Sequence, residues 1–205
     1  IEEGVFRSKH PFFCIISFFK MEKQQIEKWK VLSSQYIHKE PWFTVRKEKV
    51  QLPNGSLIPS YYVMEYPAWI NVIAITKEGM MIMERQYRHG LGQVDYELCA
   101  GVVDATDANP LEAAQRELWE ETGYGKGKWE QWMVISVNPG THTNLTYCYL
   151  ATDVEKVSES HQEATEDIAV ELLTPAEVLE FLEQDRIKQG LHVAPLWKYF
   201  AKKKF

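Results

Sequence analysis

Apolar positions in the first third of the chain fall in short runs rich in β-branched and aromatic residues, separated by turn-forming residues. Residues 42–52 (WFTVRKEKVQL) show mixed alternation, Pro53-Asn54-Gly55 is a strong turn signal, and residues 61–66 (YYVMEY) are strand-like. Together they predict a hairpin. Trp69–Thr76 (WINVIAIT) is an apolar, β-branched run, Lys77-Glu78-Gly79 reads as a turn, and residues 80–88 (MMIMERQYR) continue as a strand with polar residues at its far end. A further strand ends at Cys99-Ala100-Gly101, and others are legible at residues 131–137, 146–152 and 168–173.

The pattern becomes helical after Asn109. That residue can cap a helix whose first position is Pro110, where a missing N–H is harmless, and Gly123 supplies the stop. A capping box, Thr174 to Glu177 (TPAE), opens a second helix with Val178, Leu179 and Leu182 on one face. Residues 192–201 form a last amphipathic stretch, and residues 21–30 (MEKQQIEKWK) read as polar and helix-prone. Strands outnumber helices and alternate with them irregularly, which predicts the α+β class.

Length and composition narrow the function. The 205 residues suit one domain with a small appended piece, and 45% hydrophobic with 25% charged residues excludes a disordered chain, a collagen-like fibre and a membrane bundle. With 23 basic against 29 acidic residues the net charge is −6, the wrong sign for gripping nucleic-acid backbone. No nucleic-acid partner is expected, and an anionic ligand must be met by local positive charge or a metal. Cys14, Cys99 and Cys148 are too few and scattered for a disulfide framework, so a reducing cytoplasm is the expected home. Residues 11–19 (PFFCIISFF) are too short to span a bilayer. Residues 1–20 are therefore expected to be an extension outside the core, with no membrane partner. The histidines show no zinc spacing, and no G-x-S-x-G or P-loop is present.

The informative segment is the helix opened by Pro110. Glu117 and Glu121 are four residues apart and Glu120 lies three beyond Glu117, so the three carboxylates project from one face. Each like-charge pair destabilises an isolated helix by a few tenths of a kcal/mol, and the negative end of the macrodipole adds to the penalty. A solvated acidic face is the commoner explanation of such a cluster. Here a loop after Gly101 precedes the helix, Arg116 stands beside Glu117, and Gly123 ends the helix directly after the cluster. That context favours a bound cation, and hard carboxylate oxygens select magnesium, calcium or manganese over zinc.

Residues 116–124 (RELWEETGY) resemble the second half of the signature of Nudix hydrolases, G-x5-E-x7-R-E-U-x-E-E-x-G-U with U apolar, at every fixed position. The first half departs. Gly101 lies fifteen residues before Arg116 instead of fourteen, Asp107 or Ala108 stands at the early Glu, and one residue is inserted within 104–109. Arg85-Gln86-Tyr87-Arg88 and Glu97-Leu98-Cys99-Ala100-Gly101 are similar to elements of the ADP-ribose pyrophosphatase branch, with Cys99 where proline is usual, and Asn138-Pro139-Gly140 resembles its S-P-G element.

The resemblance implies a Nudix α/β/α sandwich with a mixed sheet, preceded by a small N-terminal β subdomain. On that reading residues 1–20 are the extension, 21–66 a helix and β-hairpin subdomain, and 67–205 the hydrolase domain. It further implies a pyrophosphohydrolase that uses Mg²⁺, with Mn²⁺ as the alternative, on a nucleoside diphosphate sugar. ADP-ribose, giving AMP and ribose 5-phosphate, ranks before GDP-mannose, and a non-cleaving nucleotide-sugar sensor is the other reading. Glu117, Glu120, Glu121 and the Ala100 carbonyl would hold metal, and Arg116 and Glu120 join the catalytic set. The general base would be Glu163 or Glu166, with the acidic run before the last strand favouring Glu166. Arg88 would contact phosphate. Glu97 would accept from a ribose hydroxyl or an exocyclic amine, or else pair with Arg85 or Arg116. Tyr36 and Trp42 would stack on a base, in a homodimer whose partner subunit can contribute to the site.

Overall fold

The computed structural model describes residues 25–162 and 164–203. Strands β1 (Lys30–Glu40), β2 (Phe43–Gln51) and β3 (Leu57–Glu65) form an antiparallel sheet in that order. The expected turn joins β2 to β3: Gly55 has φ 86°, and the Asn54 side chain accepts from the Ser56 N–H at 2.9 Å. The helix expected over residues 21–30 is not found in its described part, because residues 25–29 are irregular and Lys30 begins a strand. Local helix propensity is weak, and the ladder that begins at Lys30↔Gln51 takes only the end of that stretch into a strand. The expected extension, residues 1–20, lies outside the described residues.

The second sheet is mixed and centres on β4 (Trp69–Thr76), which pairs in parallel with β10 (Thr146–Lys156) along its whole length. Two strands share the other edge of β4. Its last residues pair with β5 (Met81–Arg88) through Ala74↔Ile82 and Ile75↔Met81, and its first half pairs with β7 (Cys99–Val102) from Trp69↔Val102 to Val72↔Cys99. Beyond Ile82, β5 leaves β4 and pairs with β6 (Gln93–Glu97) on one side and β11 (Ile168–Leu173) on the other. β8 (Tyr124–Gly125) and β9 (Lys128–Ile135) pair with β10.

Helices cover both faces. α1 (Pro110–Thr122) buries Ala113, Ala114 and Leu118 against Ile70, Val72 and Ala74, while α2 (Pro175–Glu183) and α3 (Gly190–Lys203) bury Val178, Leu182 and Leu196 against Ile73, Ile75 and Met83. Consecutive β4 residues thus face opposite layers, which is why its sequence is apolar without alternation. The expected α+β sandwich with an N-terminal β unit is borne out. No helix among the described residues is long and apolar enough to cross a membrane. The N-terminal sheet docks on the loop after β9, where Met64 N–H donates to the Thr141 carbonyl at 2.8 Å and Thr143 N–H to the Met64 carbonyl at 3.1 Å.

Both ends of α1 are fixed locally. The Asn109 side chain accepts from the N–H groups of Leu111 and Glu112, and Gly123, at φ 70°, donates to the Trp119 carbonyl at 2.8 Å. A Cβ on Gly123 would also strike the Ser158 backbone carbonyl, whereas one on Gly79, at φ 82°, would meet open space. Gly79→Ala is therefore expected to lose about 1 kcal/mol and Gly123→Ala about 2 kcal/mol or more, as read by urea unfolding. Equal losses would contradict the steric contribution at Gly123.

Candidate functional site

Residues of α1 and β7 are held in contact by a glycine. A Cβ at Gly101 would overlap the Glu117 carboxylate, so only glycine lets that side chain lie against the β7 backbone. One turn further along α1, Glu121 is 5% exposed and its Oε2 accepts from the Ala100 N–H at 3.3 Å. Arg116 braces the group. Its Nη1 lies 3.1 Å from Glu117 and 2.9 Å from Glu120, its Nη2 donates to the Val102 carbonyl at 3.1 Å, and its Nε and Nη2 grip both oxygens of Asp107 at 3.1 and 2.9 Å. Asp107 also accepts from the Asp104 N–H at 2.8 Å. The lengthened loop before α1 therefore closes on Arg116 through Asp107.

A cleft of about 280 Å³ opens above these residues. It brings together Trp42, Ala100, Arg116, Glu117, Glu120, Glu121 and Glu166 from the sequence-expected set. Trp42 stands between β1 and β2 at φ 63° and is 66% exposed. Glu163 lies outside the described residues. Tyr36 is on the exposed face of β1, where its hydroxyl donates to Glu65 at 3.1 Å, and it does not line the cleft. Arg88 and Glu97 line a second cavity, of about 450 Å³, with Lys188, Gln189 and Gly190.

In that cavity Glu97 pairs with Arg88, and not with Arg85 or Arg116. Arg88 Nε donates to Glu97 Oε1 at 2.7 Å and Nη2 donates to Oε2, while Arg85 pairs with Glu171. Arg88 is paired with Gln93 and Glu97 with Glu84, on the same face of the β5–β6 ladder, so the long Arg88 side chain reaches back along that face to Glu97. His192 Nε2 stands 3.5 Å from Glu97 Oε2. Burial pushes the Glu97 carboxyl up, but the Arg88 guanidinium and His192 outweigh it and hold the carboxyl at about 2.

Sequence reasoning missed two residues near the cleft. His161 lines it, stacked on Trp119 at 4.6 Å, and its N–H donates to the Glu120 carbonyl at 2.7 Å. Glu84 is buried on β5, with one ligand atom each of Glu84, Cys99 and Glu121 within 4.8 Å of the others. Its signal was a lone acid in the otherwise apolar MMIME run. Burial, then the Glu121 charge, pushes Glu84 well above the ordinary carboxylate range. Burial, reinforced by the Glu117 and Glu166 charges, lifts Glu121 to about 8, and burial also raises Glu117 against the lowering effect of Arg116. Glu121 thus keeps its proton at neutral pH until a cation compensates it, and a divalent metal fits the donor set of this group.

The comparisons with known proteins agree with this geometry. A family model described as the NUDIX domain matches residues 66–192, and one described as the nucleoside diphosphate sugar hydrolase N-terminal domain matches residues 29–64. The chain is 31% identical over 137 residues to an ADP-ribose pyrophosphatase of Mycobacterium tuberculosis, covering 66% of each protein. It is 30% identical to an ADP-ribose pyrophosphatase of Bacillus subtilis over 82% of this chain and 86% of that one. A solved structure titled as an ADP compounds hydrolase superposes with a TM-score of 0.76 over 88% of this chain and 98% of its own, at 21% identity, and shares the fold.

The raised carboxyls give a pH signature. In the folded, metal-free chain Glu121 holds a proton up to about 8, whereas unfolded it releases it near the ordinary 4.5. The unfolded state then binds fewer protons, so stability falls as pH rises through that window. Glu97, held at about 2, loses its contribution only at lower pH and does not vary across this window. With a chelator present, Tm is expected to drop by several degrees between about pH 5 and about pH 8, and saturating Mg²⁺ to raise it most at the upper end. A metal-free Tm that rises over this range would contradict the assignment.

Proposed function

The chain belongs to the Nudix hydrolase family, enzymes of diphosphate linkages, and from that premise we propose that it hydrolyses a nucleoside diphosphate sugar with Mg²⁺, ADP-ribose to AMP and ribose 5-phosphate. The observation that carries this reading is the convergence of Glu117, Glu120, Glu121 and Glu166 on one cleft. The two pyrophosphatase relatives and the N-terminal nucleoside diphosphate sugar hydrolase match support the substrate class.

Glu117, Glu121 and the Ala100 carbonyl would hold the cation, with Glu120 at its rim. When bound, Mg²⁺ supplies neutralising charge for the diphosphate, polarisation of the phosphorus and a water acidified toward neutral pH. Glu166, half-buried across the cleft from α1, takes the proton of the attacking water, and one P–O bond of the bridge breaks to leave two phosphomonoesters. Arg116, anchored by Asp107, fixes Glu117 and Glu120 in place and does not itself need to touch substrate.

Arg88 is proposed to receive a phosphate oxygen. Glu97 orients the guanidinium through two hydrogen bonds and accepts from a sugar hydroxyl only with its remaining lone pairs. Trp42 stacks on the base at the cleft mouth. The exposed apolar residues Val31, Leu32, Ile37 and Phe43 of β1 and β2 support a homodimer built through the N-terminal sheet, in which Tyr36 would serve the partner's site. Free, buried Cys99 and Cys148 suit a reducing cytoplasm.

A panel of nucleoside diphosphate sugars, including ADP-ribose and GDP-mannose, assayed by chromatography with Mg²⁺ or Mn²⁺, tests the reading. ADP-ribose is expected to give AMP at the highest kcat/KM. Glu121→Gln is expected to reduce turnover about 100-fold or more, and Glu166→Gln to lower kcat by about 10²–10⁴ with little change in KM. No cleavage of any member of the panel, or a fully active Glu121→Gln, would overturn it.

A further inference from the structure

Glu84, Cys99 and Glu121 come from three elements, β5, β7 and α1, and meet beneath the floor of the carboxylate cleft. They meet there because β5 leaves the edge of β4 just where β7 takes it over: Glu84 pairs with Glu97, two residues before Cys99, and Cys99 pairs with Val72 of β4. One ligand atom from each lies within 4.8 Å of the other two, and all three residues are buried. Glu84 is 4% exposed, its carboxylate faces this group, and its Oε1 has no hydrogen-bond partner. A carboxylate oxygen out of water without a donor is costly, and a cation among the three groups relieves that cost. The hydrolytic reading uses neither Glu84 nor Cys99.

We propose that Glu84, Cys99 and Glu121 form a second cation site, containing a thiolate, that takes a borderline or soft divalent ion such as Zn²⁺, Co²⁺ or Cd²⁺ and discriminates against Mg²⁺. The donor set decides the class. Magnesium requires near-octahedral oxygen ligands and keeps much of its water, whereas one sulfur, two carboxylates and one open position match a four-coordinate zinc-type centre. Metal–ligand bonds there are about 2.0–2.3 Å long, so donor atoms already this close need side-chain shifts of about an ångström. On binding, the Cys99 thiol and whichever of the Glu84 and Glu121 carboxyls carry protons release them to solvent, and one sulfur and two carboxylates bond the metal with no change of oxidation state. Entry is through the cleft, because Glu121 lines it. Glu121 is thus common to both sites, and an ion held below withdraws a carboxylate from the hydrolytic metal above.

The test is a Co²⁺ titration of the full chain after removal of metals with a chelator, followed by absorption spectroscopy. A sulfur-to-cobalt charge-transfer band is expected in the near ultraviolet. It should vanish in Cys99→Ser and persist in Cys148→Ser, whose thiol lies in the core on the opposite face of the sheet. Excess Mg²⁺ should not abolish the band. Glu84→Gln keeps the side-chain shape, so it holds the proposal to account even if Cys99→Ser fails to fold. It is expected to weaken Co²⁺ binding about tenfold or more. A wild-type chain without the band, a band that survives Cys99→Ser, or unchanged Co²⁺ affinity in Glu84→Gln would overturn the site. The readout needs no substrate, so its failure leaves the hydrolytic reading standing, and failure of that reading leaves this one standing.

Discussion

Glu117 and Glu121 sit one helical turn apart with little of their surface in water, Glu84 lies beneath them, and Glu166 faces them across a cleft. Removing several carboxylates from water together is affordable only if protons or a cation compensate their charge. Much of the surrounding structure keeps the arrangement from relaxing. Gly101 admits the Glu117 carboxylate to the β7 backbone, Ala100 donates to Glu121, and Gln162 ties the Glu121 carbonyl to the Ile168 carbonyl, joining the end of α1 to the start of β11. In the metal-free chain a proton on Glu121 relieves the crowding, and a bound ion would take its place.

Arg116 shows how one cation serves a group of acids without neutralising the site. Its guanidinium is shared among Asp107, Glu117, Glu120 and the Val102 carbonyl, so its charge is largely committed to holding loop and helix together. Arg88 is committed in the same way, to Glu97. The difference lies in the ratio. Arg88 faces one buried acid and brings it down to about 2, whereas Arg116 cannot prevent burial from raising Glu117. Two arginines on neighbouring cavities therefore leave one balanced and the other in want of positive charge.

Features governed by neighbours in sequence were legible in the chain. The caps of α1 and α2, the turn at Asn54-Gly55 and the common face of Glu117, Glu120 and Glu121 depend on spacings of a few residues, and they form where the pattern puts them. The carboxylate signature was legible for the same reason, since a helix fixes the relative direction of its side chains. What depended on long-range pairing was not. β1 carries no strong strand pattern and exists because β2 offers it a ladder, and Glu97 meets Arg88 because both project from one face of the β5–β6 ladder. Glu84 sits among apolar residues of one strand, and only the division of the β4 edge between β5 and β7 shows that it faces Cys99 and Glu121.

The net charge of −6 takes on a different meaning once its location is known. Spread over a surface, it would only repel anions and favour solubility. Part of the acidic excess lies at one cleft, and on the proposed function it recruits the cations that let an acidic protein hold a diphosphate. The sign of the whole chain therefore excludes ligands that need a broad basic surface, such as nucleic-acid backbone, without excluding small polyanions that arrive with a metal. On the two proposals, what such a protein binds is decided by which ion its buried acids accept, and that choice turns on Glu121, which among the described residues borders both the open cleft and the thiol of Cys99.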